Sequence, residues 1–411
     1  MSDLRINQER LWASLMEMAK IGATKKGGCN RLAGTDLDKQ ARDLFVSWCE
    51  EAGCDVYIDK IGNIFARRAG DDNHAPAVAT GSHLDTQPTG GKFDGVFGVL
   101  AGVEVLRTLH ENNIQTPTAM EFSVWTNEEG SRFQPAMQGS GVYAGRFDLA
   151  TELNKTDANG IRLGDELKRI GYLGEEEIGS RPIGAFFEAH IEQGPILEDE
   201  HKAIGVVRLG QGIRWYNVEV NGRESHSGTT PMHLRQDAMV PASLIIAELE
   251  QIALRHENGL GTTGFMQVYP NSRNTIPGKV SFSAELRNPS SDTLLTMHQE
   301  LISFCETLAR DRNLDIKVDP FWYFAPVEFS ASDDVKAATQ LLGYSHMDIY
   351  SGAGHDACYM ADLVPTGMIF IPCENGISHN EIEYSSPEQC AAGANVLLHS
   401  MLQASERIVK R

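Results

Sequence analysis

No Cys-x-x-Cys pair occurs in the 411 residues; seven cysteines (Cys29, Cys49, Cys54, Cys305, Cys358, Cys373 and Cys390) are scattered singly. An odd number of thiols without secretory features argues for reduced side chains and a cytoplasmic protein. None sits in a context that suggests a nucleophile, and most read as small core residues. Long hydrophobic runs are absent too, so no segment is a candidate to span a membrane. The first residues, Met1-Ser2-Asp3-Leu4-Arg5-Ile6-Asn7, lack the apolar centre of a signal peptide. Positive charge is scarce: 36 Lys and Arg stand against 56 Asp and Glu, a net charge of −20. That balance excludes a basic footprint for nucleic acid or anionic lipid. An anionic substrate would have to be captured by particular arginines. Repeats, low-complexity tracts and long linkers are missing as well.

What is there is a soluble globular balance, 41% hydrophobic and 22% charged, on a chain long enough for two domains. The stretch around which the rest is organised is residues 81–98, GSHLDTQPTGGKFDGVFG. Ala77-Val78-Ala79-Thr80 reads as the end of a buried strand leading into it. His83 and Asp85 are two apart and share one side of an extended backbone. That spacing suits a metal-binding imidazole, with Asp85 close enough to hold the other ring nitrogen or to order the site. Asp94 follows in a Gly-rich loop that opens a helix near Gly95. A carboxylate there can bridge two cations; the alternative for the stretch alone is a βα turn with an N-capping Asp and a buried His.

Further along, helices are expected over 7–22, 36–52 and 95–111, and a strand, turn and strand over 56–66. Ala119 to Thr126 alternates as a strand and ends in Asn127-Glu128-Glu129-Gly130. Residues 150–182 look like a polar surface excursion with one short helix. Ala185 to Ile191 is a strand ending in His190-Ile191-Glu192-Gln193-Gly194. This repetition indicates an α/β fold with a mostly parallel sheet, functional groups lying at the carboxyl ends of its strands. After Gly210 the pattern becomes strand 213–220, helix 235–255, strands 262–270 and 279–287, helix 291–311 and strand 314–319. That βαββαβ order describes an open-faced sandwich inserted into the larger domain. From about 328 the first pattern returns, with helix 331–343, strand 367–372, and a closing helix over 387–407. The domains are therefore 1–210 with 328–411, and 211–327.

Four strand ends of the larger domain present ligand-type side chains: His83 with Asp94, Glu129, His190 and His379. Imidazoles and carboxylates without thiolate suit a hydrolytic pair of divalent ions, Zn²⁺ first, with Mn²⁺ or Co²⁺ as other ions of the same preference. Two such ions, about 3.5–4 Å apart, acidify a water and steady a developing oxyanion. Of the adjacent acids Glu128 and Glu129, one can coordinate while the other accepts a proton.

Seven motifs, in order, carry a resemblance: GSHLDT at 81–86, GGKFDG at 90–95, NEEGSRF at 127–133, EAHIEQG at 188–194, SGTTPM at 227–232, SGAGHDA at 351–357 and ISHN at 377–380. Together they resemble the amidase/hydantoinase/carbamoylase branch of the M20 metallopeptidase family, over almost the whole chain. That branch includes N-carbamoyl-L-amino acid amidohydrolases, β-ureidopropionases and allantoate amidohydrolases. The resemblance implies a dinuclear catalytic domain interrupted by a lid or dimerisation domain. It implies that His83, Asp94, Glu129, His190 and His379 bind the ions, with Asp94 bridging and Glu128 as general base. His190, where peptidases of the wider family carry a carboxylate, points to the carbamoylase branch.

By the same resemblance Gln193, Asn274, Arg287 and Gly354 contact substrate, Arg287 as the carboxylate clamp; the pattern alone leaves Arg287 equally a solvent-facing side chain. His226 resembles the lid histidine that reaches the partner subunit's active site in a homodimer and supports the oxyanion. Ser225 and Ser227 stand where the family usually has Ala. For His355 and Asp356, structural and catalytic roles are both open. The expected activity is hydrolysis of an N-carbamoyl-L-amino acid or N-carbamoyl-β-alanine, a small carboxylate-bearing substrate. The alternatives are allantoate hydrolysis, an aminoacylase or dipeptidase of the wider family, and a non-catalytic homologue.

Overall fold

The segment from Ala77 to Trp125 is one strand–helix–strand crossover, and it lies at the centre of a nine-stranded sheet. A computed structural model of the chain describes residues 3–410. They fall into two units, residues 3–208 with 328–410, and Leu209–Val327. In the first unit the sheet runs Asp55–Ile58, Ile64–Arg68, Met120–Trp125, Ala77–His83, Ile183–Ile191, Thr366–Ile371, Ile204–Gly210 and Val327–Glu328, with His346–Ser351 also paired to Ile204–Gly210. The four strands from Met120–Trp125 to Thr366–Ile371 are mutually parallel, whereas Ile64–Arg68 and Ile204–Gly210 join their flanks antiparallel. Trp125, His83, Ile191 and Ile371 therefore end on one side, where a parallel sheet presents its loops.

Two helices help to bury these strands along their length. Val96–Glu111 and Pro387–Ile408 are buried over most of their surface and pack on each other and on the central strands. A helix apolar all round belongs inside a large core. The closing helix starts sharply: Ser386 and Gln389 form a capping box, with Pro387 in the first turn. Thr35 and Asn7 cap the helices Asp36–Glu51 and Gln8–Met18 through their side-chain oxygens.

The second unit carries its own core. Its antiparallel sheet runs Met266–Tyr269, Lys279–Asn288, Gly212–Asn221 and Asp315–Phe324, with Leu260–Thr262 beside Lys279–Asn288. Alternate residues Tyr216, Val218, Val220, Phe282, Ala284 and Leu286 pack against Ile245, Leu249 and Ile252 of one helix and Met297 and Leu301 of another. The helices are Met239–Arg255 and Ser291–Arg312. The other sheet face leaves Trp215 and Phe321 exposed, so this unit is two layers.

Some expectations differ in detail. Residues 150–182 hold two helices' worth of structure, the end of Leu149–Leu153 and all of Leu163–Ile170. In the second, Leu163, Leu167 and Ile170 form a buried stripe that the surrounding charge conceals. The strand expected over 262–270 is two strands with a break at Thr263–Phe265. The helix expected from 235 begins at Met239, because Gln236 bridges to Arg223 and Asp237 turns its carboxylate onto the Met239 N–H. Strands Ile204–Gly210 and His346–Ser351 have no counterpart in the sequence reading. No helix among the described residues is long and apolar enough to cross a membrane.

Candidate metal centre

His83 is the last residue of its strand, and its ring is fixed from behind. Nδ1 lies 2.9 Å from the main-chain carbonyl of Asp85. His190, next to last on the neighbouring strand, sets Nδ1 2.9 Å from the carbonyl of Ile191. A carbonyl only accepts, so each Nδ1 carries the proton and each Nε2 presents a lone pair in the neutral ring. Both Nε2 atoms face one oxygen of Asp94, Oδ1, at 3.6 Å from His83 and 3.2 Å from His190. The other oxygen, Oδ2, lies 3.2 Å from Nε2 of His379, which is itself 3.5 Å from Glu129. Two trios result, His83–Asp94–His190 and Asp94–Glu129–His379, each with its ligand atoms within 4.8 Å of one another. Asp94 is common to both. Lone pairs converging on a shared point need positive charge between them, so the donor set fits a divalent ion in each trio.

The loops are built for this approach. Gly95 opens the helix at φ 66°, and a Cβ there would sit 2.4 Å from Nε2 of His83. Asn127, Gln193 and His379 adopt left-handed φ of 52°, 58° and 52°, a conformation that non-glycine residues hold only under constraint. These outliers all lie in the loops around the two trios.

Of the two parts open to Asp85, holding the His83 ring or ordering the site, the side chain takes the second. The carboxylate is 3.9 Å from Nδ1, and it accepts the backbone N–H groups of Glu128 and Glu129, each at 3.2 Å. The carbonyl takes the ring; the side chain ties the two glutamates to the His83 loop. From that anchor the glutamates diverge. Glu128 reaches within 3.4 Å of Nε2 of His83, and Glu129 receives the main-chain and side-chain N–H groups of Gln87 at 3.1 and 2.7 Å.

Burial raises the carboxyl pKa of Glu128 well above its usual range and lifts that of Glu129 to about 7, the latter helped by Asp94. For Asp94, burial acts upward but the imidazoles of His190, His379 and His83 at its oxygens outweigh it and hold it well below. For His83, burial acts downward and is outweighed by Glu128 and Asp94, which raise it. Carboxylates pushed to opposite sides of their usual range within one buried pocket mark a candidate functional site.

Three groups with no assigned part in the sequence reading, Glu383, Glu188 and Gln87, complete the centre. Glu383 accepts the N–H groups of Phe93 and Asp94 on one oxygen, both at 3.0 Å, and the Ser378 hydroxyl on the other at 2.9 Å. Glu188 takes the Ser82 hydroxyl at 2.7 Å and the Ala357 N–H at 2.8 Å, tying two strands to the 355–357 loop. Gln87 orients Glu129 as described. Only Glu383's place four residues past His379 offered a signal for it. His355 is buried, with Nε2 2.8 Å from Ser351 Oγ and its ring 4.5 Å from that of His190. Asp356 accepts the hydroxyl of Ser140.

Of the residues expected to contact substrate, Gln193 donates to Asp94 Oδ2 at 2.8 Å, and Gly354 lies against Met137. His226, Asn274 and Arg287 belong to the second unit. His226 and Asn274 are neighbours, Thr275 pairing with His226 and the Ser227 N–H donating to the Asn274 carbonyl at 3.0 Å. Arg287 pairs with Glu285 two residues away, and Glu285 also accepts the indole N–H of Trp215.

Comparison with known proteins identifies the family. Residues 79–403 match the family described as peptidase family M20/M25/M40. An N-carbamoyl-L-amino-acid amidohydrolase of Rhizobium meliloti is 48% identical over 98% of this chain and 97% of its own. An allantoate amidohydrolase of Bacillus subtilis is 33% identical over 92% of this chain and 93% of its own. The crystal structure of an amidase of the hydantoinase/carbamoylase family from Burkholderia multivorans superposes with a TM-score of 0.93, at 52% identity over 98% of both chains. The chain belongs to peptidase family M20, and within it to the hydantoinase/carbamoylase amidases.

Proposed function

We propose that the protein hydrolyses an N-carbamoyl amino acid, an N-carbamoyl-L-amino acid or N-carbamoyl-β-alanine, to the free amino acid, ammonia and carbon dioxide. At the coarser level it is a hydrolase of carbon–nitrogen bonds other than peptide bonds in linear amides. The observation that carries the reading is Asp94, one oxygen turned to His83 and His190 and the other to His379, with Glu128 beside the first group.

His83 and His190 with Asp94 Oδ1 would hold one divalent ion, and His379 and Glu129 with Asp94 Oδ2 a second, Zn²⁺ first, with Mn²⁺ or Co²⁺ suited to the same ligands. When bound, such a pair supplies Lewis acidity at the carbamoyl oxygen and lowers the pKa of water. Glu128 accepts the proton of the attacking water and returns it to the leaving nitrogen. The amino acid departs with that proton, and the carbamate left behind decomposes to ammonia and carbon dioxide. Arg287 takes the substrate carboxylate with its planar fork, assisted by Asn274 and Gln193. Gly354 contributes a main-chain contact, and His226 donates to the oxyanion. The protein works as a cytoplasmic homodimer in which His226 serves the partner's centre; seven unpaired, buried cysteines support a reducing compartment.

A second reading, allantoate hydrolysis, is favoured by the Bacillus subtilis relative. Ammonia release measured on allantoate, N-carbamoyl-β-alanine, several N-carbamoyl-L-amino acids and a dipeptide decides between them. Faster turnover of allantoate or of the dipeptide than of every carbamoyl amino acid would replace the first reading.

A further inference from the structure

Ser378 poses a question of proton placement. Its hydroxyl lies 3.1 Å from Asp94 Oδ2 and 2.9 Å from Glu383 Oε2, yet it has a single proton to donate. The amide of Gln193 already donates to Ser378 Oγ at 3.2 Å and to Asp94 Oδ2 at 2.8 Å. Asp94 Oδ2 is the oxygen that faces His379. A hydroxyl proton resting on it would occupy electron density that a cation between Asp94, Glu129 and His379 requires.

We propose that Glu383 is a positioning residue for the bridging carboxylate: it takes the Ser378 proton away from Asp94 Oδ2 and clamps the Asp94 loop, leaving that oxygen to the second metal ion. The inference rests on the dinuclear reading above. Glu383 is buried, and its other oxygen holds the consecutive main-chain N–H groups of Phe93 and Asp94. Gly91 makes room for it, since a Cβ there would fall 2.1 Å from Glu383 Oε1. One carboxylate thus joins the loop that carries Asp94 to the loop that carries His379. His379 depends on such a link more than the other imidazoles. Its side chain is 50% exposed, against 2% for His83 and 1% for His190, and its backbone is left-handed. His83 and His190 are held instead by carbonyls of their own strand ends.

Glu383→Gln separates the two functions. The glutamine carbonyl can still accept from Phe93 and Asp94, but its NH₂ faces Ser378 Oγ as a donor. The Ser378 proton then has only Asp94 Oδ2 to go to. Ser378→Ala in the same chain removes that proton, so the double variant should regain what Glu383→Gln loses. Loss of a simple scaffold would not be repaired by removing a further hydrogen bond.

The experiment is a Co²⁺ titration of the chelator-stripped full-length protein, read by the visible absorption of bound cobalt. Wild type should take two equivalents. Glu383→Gln should bind the first as wild type does and the second about tenfold or more weakly, as polar groups behind metal ligands commonly do on mutation. Ser378→Ala/Glu383→Gln should restore the second equivalent. Equal binding by Glu383→Gln and wild type, or no recovery in the double variant, overturns the proposal. If Glu383→Gln does not fold, Ser378→Ala alone decides: second-site binding as tight as wild type or tighter supports the proposal, and weaker binding overturns it. A wild type that takes no second equivalent sinks the dinuclear reading itself, a result distinct from any of these.

Discussion

Glu128 and Glu129, adjacent in the chain, end beside different histidines: Glu128 lies 3.4 Å from Nε2 of His83, and Glu129 lies 3.5 Å from Nε2 of His379. The left-handed turn at Asn127 and the paired N–H bonds to Asp85 send the two side chains apart. Glu128→Gln should therefore leave metal content at the wild-type level while the rate falls about 10²–10⁴-fold, the usual worth of a positioned base. Elemental analysis beside steady-state kinetics checks both halves; retention of more than a few per cent of activity would remove Glu128 from its assigned part.

Asp94 and His379 should differ in what they cost. Asp94→Ala removes a ligand from both trios and is expected to strip both ions, whereas His379→Ala should release one. Inductively coupled plasma measurement on dialysed protein reads the difference. Chelation of the wild type should abolish activity, and added Zn²⁺, Mn²⁺ or Co²⁺ should restore it.

Arg287→Lys keeps the charge but loses the planar fork. A charge-assisted pair is worth about 1.5–3 kcal/mol, so kcat/KM for carbamoyl amino acids should drop roughly 10–100-fold. The loss should shrink for a substrate whose carboxylate is replaced by a carboxamide. An equal loss on both substrates would mean that Arg287 supports the fold through Glu285 and Trp215 rather than binding substrate.

Asn63 is a stability test away from the ions. Fully buried, it accepts the Thr126 N–H at 3.0 Å and donates to Asp59 at 2.9 Å and the Gly139 carbonyl at 3.1 Å. Asn63→Ala should cost about 1–3 kcal/mol for each buried group left unpaired. Because Thr126 leads directly into Glu128, kcat should fall with the denaturation midpoint.

His399 supplies a pH dependence. Burial lowers its imidazole pKa below the ordinary 6.5, against the opposing hydrogen bond to the Leu4 carbonyl and with Arg5 reinforcing it. Above 6.5 the ring is neutral in both states and its contribution is complete. As pH falls below 6.5 the unfolded chain binds the proton first, so stability is lost until the folded pKa is passed. Thermal midpoints at pH 7.5 and 5.5 should therefore fall further in the wild type than in His399→Gln, which keeps a donor for Leu4 and does not titrate.

Much of the centre could be read from the chain because its chemistry sits where a parallel sheet must put it. His83 and His190 are at or next to the ends of buried strands, and Glu128 and Glu129 follow another. What escaped was of two kinds. The helix Leu163–Ile170 hides its stripe within polar neighbours, so composition outweighed spacing. Glu383 meets Phe93 across 290 positions, and its partners are main-chain N–H groups, which look alike at every residue. For Asp85 the sequence left open whether it holds the ring or orders the site; its carbonyl lies at the ring nitrogen and its carboxylate on the two glutamate N–H groups.

The left-handed residues of the centre have an evolutionary corollary. At Gln193 and His379, glycine would relax the backbone and thermodynamic selection alone would welcome it, yet each such exchange erases a side chain that faces Asp94. Attempts to make this protein hardier by ordinary loop-glycine or consensus substitutions will meet a conflict at these two positions, and gains in heat tolerance there should arrive together with a loss of metal.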